Sequence, residues 1–186
     1  MESKILQSLS YKHAIIDTNV LVNWANHKKE FDSKLFSLLN EYNIKPAIDE
    51  IIKYEFLSNA NNPNNLQARN DFLDIILGTD TRILPICSEN FQDARYISNI
   101  CFSMGHQIKI IDSLIASQLK KYQDEVILIT CDHSDFTLKI FDRIRVITID
   151  VGSNIFNVGF YKFNRDKYTK AVKLFAKSKN SNQKIK

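Results

Sequence analysis

The chain has 186 residues, 44% of them apolar and 25% charged, which fits one soluble globular domain large enough to bury a core. Its longest apolar runs fall far short of a membrane span, and no apolar signal region follows Met1-Glu2-Ser3-Lys4, so neither a membrane protein nor a secreted one is expected. The net charge of +4 is uneven: residues 162–186 carry nine basic side chains against one acid, Asp166, an excess of +8 that leaves the remainder at −4.

Residues 1–12 form an N-terminal lead without a clear pattern. A short buried strand is expected at 13–17, followed by helices at 19–26 and 30–42, the second with Phe31, Leu35, Leu38 and Leu39 at helical spacing. Ile44–Ile48 is a strand weakened by Pro46, and Asp49 caps a helix reaching about Ser58. Asn59 to Asn65 is loop sequence. A helix over Leu66–Leu77 stops at Gly78, a strand covers Thr81–Ile86, and Ser88 starts a helix that runs to about Met104 before Gly105. A helix at 110–122, a strand at 126–130, a turn or short helix at 134–140 and a strand at 145–149 follow. This alternation predicts an α/β domain over 13–150, with a mainly parallel sheet covered on both faces. Beyond Asp150 the pattern weakens. Residues 151–186 are expected to be a basic extension, helical over 165–177 and disordered from 178.

Four acids stand where a carboxylate is costly unless it is paired or bound to a metal. Asp17 ends the apolar run His13-Ala14-Ile15-Ile16, at the carboxyl end of a strand where α/β sheets bind ligands; the alternative is a helix N-cap. Glu55 shares a helix face with Ile48, Ile51 and Ile52, unless the helix is rotated to bring it to solvent. Asp112 lies among Ile108, Ile115, Ala116 and Leu119, with a favourable helix dipole as the alternative explanation. Asp132 follows the strand Val126-Ile127-Leu128-Ile129-Thr130, or else serves only an Asx-turn; Asp135 could take its place. Four clustered carboxylates would take up protons unless a cation were present. Oxygen-only ligands select Mg²⁺ or Mn²⁺. His13, His27, His106 and His133 have no metal-ligand spacing. Cys87, Cys101 and Cys131, odd in number and widely spaced, argue against a disulfide framework and fit a reducing cytoplasm.

Taken together, Ile15-Ile16-Asp17-Thr18-Asn19-Val20-Leu21, Tyr54-Glu55-Phe56-Leu57, Ile111-Asp112-Ser113-Leu114-Ile115-Ala116 and Ile129-Thr130-Cys131-Asp132-His133-Ser134-Asp135-Phe136 resemble the PIN domain, the nuclease fold of VapC-type bacterial toxins. The resemblance covers about residues 13–150. It implies a five-stranded parallel sheet ordered 3-2-1-4-5, an acidic pocket holding one or two Mg²⁺ or Mn²⁺ ions, and hydrolysis of RNA. By position, Asp17, Glu55 and Asp112 match the family's three principal acids and Asp132 the fourth, with Asn19 and Thr130 as polar support. The chain departs from the compact toxins in its lead and its extension. An antitoxin partner and a homodimer stay open expectations.

Two competing functions remain. A phosphatase of the haloacid-dehalogenase type also places Asp after its first strand, but usually wants a second Asp two residues on, where this chain has Asn19. A PIN-like module that binds RNA without cutting it gains nothing from carboxylates facing phosphates. The basic segment, with Arg165, Lys167, Lys170 and Lys173, is either an RNA contact or a solubilising tail.

Overall fold

The computed structural model describes residues 13–78 and 83–183, with side chains to residue 177. The N-terminal lead lies outside them. Strand β1 (His13–Ile16) leads into helix α1 (Thr18–Asn26). Helix α2 follows as Lys28–Phe31, a π-helical stretch Asp32–Phe36 and Ser37–Glu41. Then come β2 (Lys45–Asp49), α3 (Glu50–Ser58), α4 (Pro63–Leu77), β3 (Ile83–Leu84), α5 (Ser88–Ser103) and α6 (Ile110–Tyr122). The chain ends with β4 (Val126–Thr130), β5 (Phe141–Asp150), β6 (Ile155–Phe163) and α7 (Arg165–Gln183).

Local chemistry sets these limits. Asp49 accepts the Ile52 amide at 2.8 Å and caps α3, while Asn62 accepts the Asn65 amide at 2.9 Å ahead of Pro63 in the first turn of α4. Gly78 ends α4 at φ 71°, a conformation that costs glycine little. Pro46 is tolerated because β3 pairs with β2 only at Ile48 and Asp49, leaving little sheet beside it.

The sheet has six strands in the order β3-β2-β1-β4-β6-β5. The first four are parallel, and β4–β6 and β5–β6 are antiparallel. This corrects the five-stranded parallel expectation. The strand expected beside β4 is β5, but it is displaced to the edge. The place beside β4 belongs to β6, formed by residues that lie beyond Asp150 in the weakly patterned extension. A tight turn makes the difference: Val151 donates to the Asn154 carbonyl at 3.0 Å, Gly152 takes φ 82°, and the chain doubles back. Helix α7 runs to Gln183, into the stretch expected to be disordered; the rest of that stretch lies outside the described residues.

With this strand order, the right-handed crossover rule puts α1–α4 on one face of the sheet and α5–α6 on the other, and α1 packs on α3 while α5 packs on α6. On the first face Trp24 meets Phe31, Phe36 and Phe72 at ring separations of 6.4, 5.8 and 5.9 Å, and Phe56 joins through Phe72. On the second, α7 packs against α5 through Tyr96 and Phe175. Among the described residues, no helix is long and apolar enough to cross a membrane.

Candidate active site

β1 and β4 lie side by side, with the chain leaving β1 toward one edge and β4 facing the other, so a crevice opens at their carboxyl ends. Asp17 sits there, 5% exposed. Its amide donates to the Ile129 carbonyl at 3.0 Å, extending the ladder between the two strands. Its Oδ2 accepts from Thr130 Oγ1 and from Asn19 Nδ2, both at 2.6 Å. Asn19 also donates to Thr130 Oγ1 at 3.2 Å and accepts the Cys131 amide at 3.0 Å. Asp17 stands at the N-cap position of α1 but makes no side-chain capping hydrogen bond there, so capping does not account for it. Burial raises its pKa, opposed by Thr130, the Thr18 amide and Asn19, and Glu55 adds to the rise.

Glu55 is half-buried on α3, where Oε2 accepts the Thr18 hydroxyl at 2.7 Å. That bond fixes the carboxylate against the start of α1. Beneath it lies Asp49, fully buried, with no partner for Oδ2 among the described residues. Burial pushes Asp49 to about 6, against the Ile52 and Ile51 amides and with help from Glu55 and Asp17.

Asp112 occupies the first turn of α6 and is 9% exposed. Burial, then a hydrogen bond and charge from Asp135, then the charge of Asp17 lift its pKa to about 7, with Lys109 opposing. Asp132 behaves oppositely. Burial works against its charge, but the Ser134 hydroxyl and amide and then Lys109 outweigh burial and hold it at about 2. Its Oδ1 accepts from Ser134 N at 2.9 Å and Oγ at 2.6 Å, so the Asx-turn is real. The turn engages one oxygen, and Asp132 still lines the cleft.

The result is an open cleft of about 610 Å³ that gathers Asp17, Asn19, Glu55, Asp112 and Asp132. Thr130 lies beneath it, fully buried, and Asp135 behind it at 6% exposure. The cleft also includes Thr18, Asn23 and Lys109, which sequence reasoning missed. Thr18 and Lys109 flank Asp17 and Asp112 in sequence; that proximity was the only signal. The basic residues of α7 are not brought to the cleft. Thr130 pairs with Gly159 and Leu128 with Tyr161, so β6 runs away from the crevice and α7 begins at the opposite end of the sheet. Lys167 is also engaged there, 2.8 Å from Asp142 Oδ1 and 3.2 Å from the Phe141 carbonyl.

Among the described residues, four carboxylates and one ammonium line the cleft. Burial first, and neighbouring carboxylates second, raise Asp17 and Asp112, so both are costly to ionise without a cation. The donor atoms are oxygens, which fits a hard divalent cation. Among the described residues no three His, Cys, Asp or Glu side chains are grouped closely enough to hold one ion as they stand. A family model described as PIN domain matches residues 14–142, more than half of the chain. Neither a curated protein nor a solved structure matches it.

Proposed function

The chain belongs to the PIN-domain family, whose members are in general metal-dependent nucleases, and from that premise we propose that it is an Mg²⁺- or Mn²⁺-dependent endoribonuclease. One observation carries the reading: Asp17, Glu55, Asp112 and Asp132, from four separate segments, line a single cleft at the switch point of the sheet. These four carboxylates would hold the cation. When bound, it supplies activation of water and neutralisation of charge at the phosphate. The chain's own part is to aim the ligands. Thr130 and Asn19 fix Oδ2 of Asp17, Thr18 fixes Oε2 of Glu55, and a hydrogen bond to Asp135 positions the Asp112 carboxyl.

Asn19 weakens the phosphatase alternative. It sits two residues after Asp17, but its amide is committed to Asp17, Thr130 and the Cys131 backbone and cannot serve as a general acid or base. Arg165, Lys170 and Lys173 are exposed on α7 and are proposed as outlying RNA contacts; Lys167 is held by Asp142. A toxin role, with an antitoxin as partner, is proposed as one setting for this activity. Growth arrest on expression, relieved by Asp17→Asn, would support it.

The decisive experiment incubates end-labelled single-stranded RNA with the protein in Mn²⁺, in Mg²⁺ and in EDTA. Cleavage restored by Mn²⁺, with 5′-phosphate and 3′-hydroxyl ends, is the expected result. Cyclic 2′,3′-phosphate ends, or full activity in EDTA, would overturn it. RNA binding without cleavage would favour the non-cutting module. Release of phosphate from a small phosphomonoester would favour the phosphatase.

A further inference from the structure

Among the described residues Lys109 is the one cation lining the cleft, and the proposed chemistry gives it no task. It immediately precedes α6, and its side chain is 72% exposed. An exposed lysine is normally left to solvent, because holding its long stem in place costs entropy. Here the ammonium reaches back over the acids. It lies 3.0 Å from Asp135 Oδ2 and 3.5 Å from Asp132 Oδ2. Asp132 has its other oxygen, Oδ1, occupied by the amide and hydroxyl of Ser134. Oδ2 is therefore the oxygen left for a cation, and it is the one Lys109 covers.

We propose that Lys109 is a tethered counterion that competes with the divalent cation for Asp132 and Asp135 and thereby sets the cation affinity of the site. The inference rests on the nuclease reading for its choice of cation. In the cation-free protein the ammonium partly compensates the carboxylates and links the Asp132 turn to the start of α6. A divalent ion entering the cleft must break that contact and then tolerate a positive charge nearby. The flexible stem lets the lysine withdraw to solvent without disturbing the backbone. Lys109 is on this view a positioning residue, acting on the acids and not on RNA.

The test is calorimetric titration of the full chain with Mn²⁺, without RNA, at fixed pH near 8. Lys109→Met keeps the stem and removes the charge; its exposure means that no core packing is lost. Exposed ion pairs are individually weak, so Lys109→Met is expected to bind Mn²⁺ about fivefold more tightly than the unsubstituted chain. Lys109→Arg keeps the charge and should match the unsubstituted chain. Tighter binding by Lys109→Met alone, including binding where the unsubstituted chain shows none, supports the proposal. Equal or weaker binding by Lys109→Met overturns it. So does Lys109→Arg binding as tightly as Lys109→Met, and so does no binding by any of the three. The outcome is separable from the nuclease reading. RNA cutting with equal affinities sinks the counterion and leaves the nuclease. The expected order of affinities without RNA cutting does the reverse.

Discussion

The two halves of the sheet end in different chemistry. The parallel strands β1 and β2 run into Asp17 and Asp49, and β4 runs through Thr130 to Asp132. The antiparallel pair β5–β6 ends in a turn at Val151–Asn154 and in the aromatic contacts of Phe141, Phe163 and Tyr168. Parallel strands point their carboxyl ends the same way, so acids placed there converge. An antiparallel hairpin alternates its ends and cannot stack ligands on one edge. The family match stops at residue 142, at the start of β5, so the hairpin and α7 lie beyond it. The second half nevertheless holds the first in place. His133 Nδ1 lies 2.7 Å from the Tyr161 hydroxyl and Nε2 lies 3.1 Å from the Asn157 carbonyl. The loop carrying Asp132 and Asp135 is thereby fastened across β6.

The strongest way to separate the halves is Asp17→Asn. It removes a ligand charge with little change in volume and should cut RNA cleavage about a hundredfold or more, since even outer-shell partners of a metal site cost 10–100-fold. Single-turnover cleavage measures this, and an unchanged melting temperature shows that only the parallel half's chemistry was touched. Near-normal cleavage would show that the acids do not act.

Gly159→Ala attacks the other half. A Cβ there would lie 2.7 Å from both His133 Cε1 and Tyr161 Cε2. Tyr161 is almost wholly buried and cannot retreat freely. Overpacking of this kind costs about 1–3 kcal/mol, measurable by urea denaturation. Because His133 is the clasp, cleavage should fall as well. Full stability together with full activity would mean that the halves are independent.

Asp112→Asn tests the strain in the parallel half. The Asp112 carboxyl sits at about 7, above its ordinary value of 3.8. Between those two values the folded state keeps a proton that the unfolded chain releases, so the cation-free fold loses stability as pH rises through about 7. The amide cannot ionise and escapes that loss. At about pH 8 the variant should be more stable than the unsubstituted chain by about 1 kcal/mol, discounted for the open cleft, yet inactive. Equal denaturation midpoints across pH 5 to 8 would argue against a strained acid.

The smallest effect should come from α7. Changing both Lys170 and Lys173 to Gln should weaken RNA binding a few-fold and flatten the salt dependence by about 1 in logarithmic slope, leaving the rate at saturating RNA unchanged. No change in affinity or salt dependence would mark the helix as a solubilising face.

Sequence legibility followed the same division. Carboxylates placed on apolar periodicity are conspicuous, and all four of Asp17, Glu55, Asp112 and Asp132 reach the cleft. Lys109 could not be found this way, because an exposed lysine before a helix has the pattern of any solvated residue. Asp49 was legible as a cap but not as a fully buried acid, since capping requires only a hydrogen bond and says nothing about depth. The parallel strands are short apolar runs and were placed in order. β6 was lost because Asn157, Gly159 and Lys162 interrupt its apolar residues. The turn signal Gly152-Ser153-Asn154 was present, and the aromatics Phe156, Phe160, Tyr161 and Phe163 after it were the cue to a returning strand.

The inverted order of the last two strands has a consequence for synthesis. β5 leaves the ribosome before β6, yet among the described strands it pairs only with β6. A nascent chain that has emerged as far as Asp150 holds every acid of the cleft but leaves the edge of β4 uncovered and β5 without a partner. The Asp132 loop then lacks Tyr161 and Asn157, so the clasp at His133 cannot form. A chain released early is therefore an unfastened one. Fastening of the cleft waits for β6, so it comes only after every acid of the site has already been made.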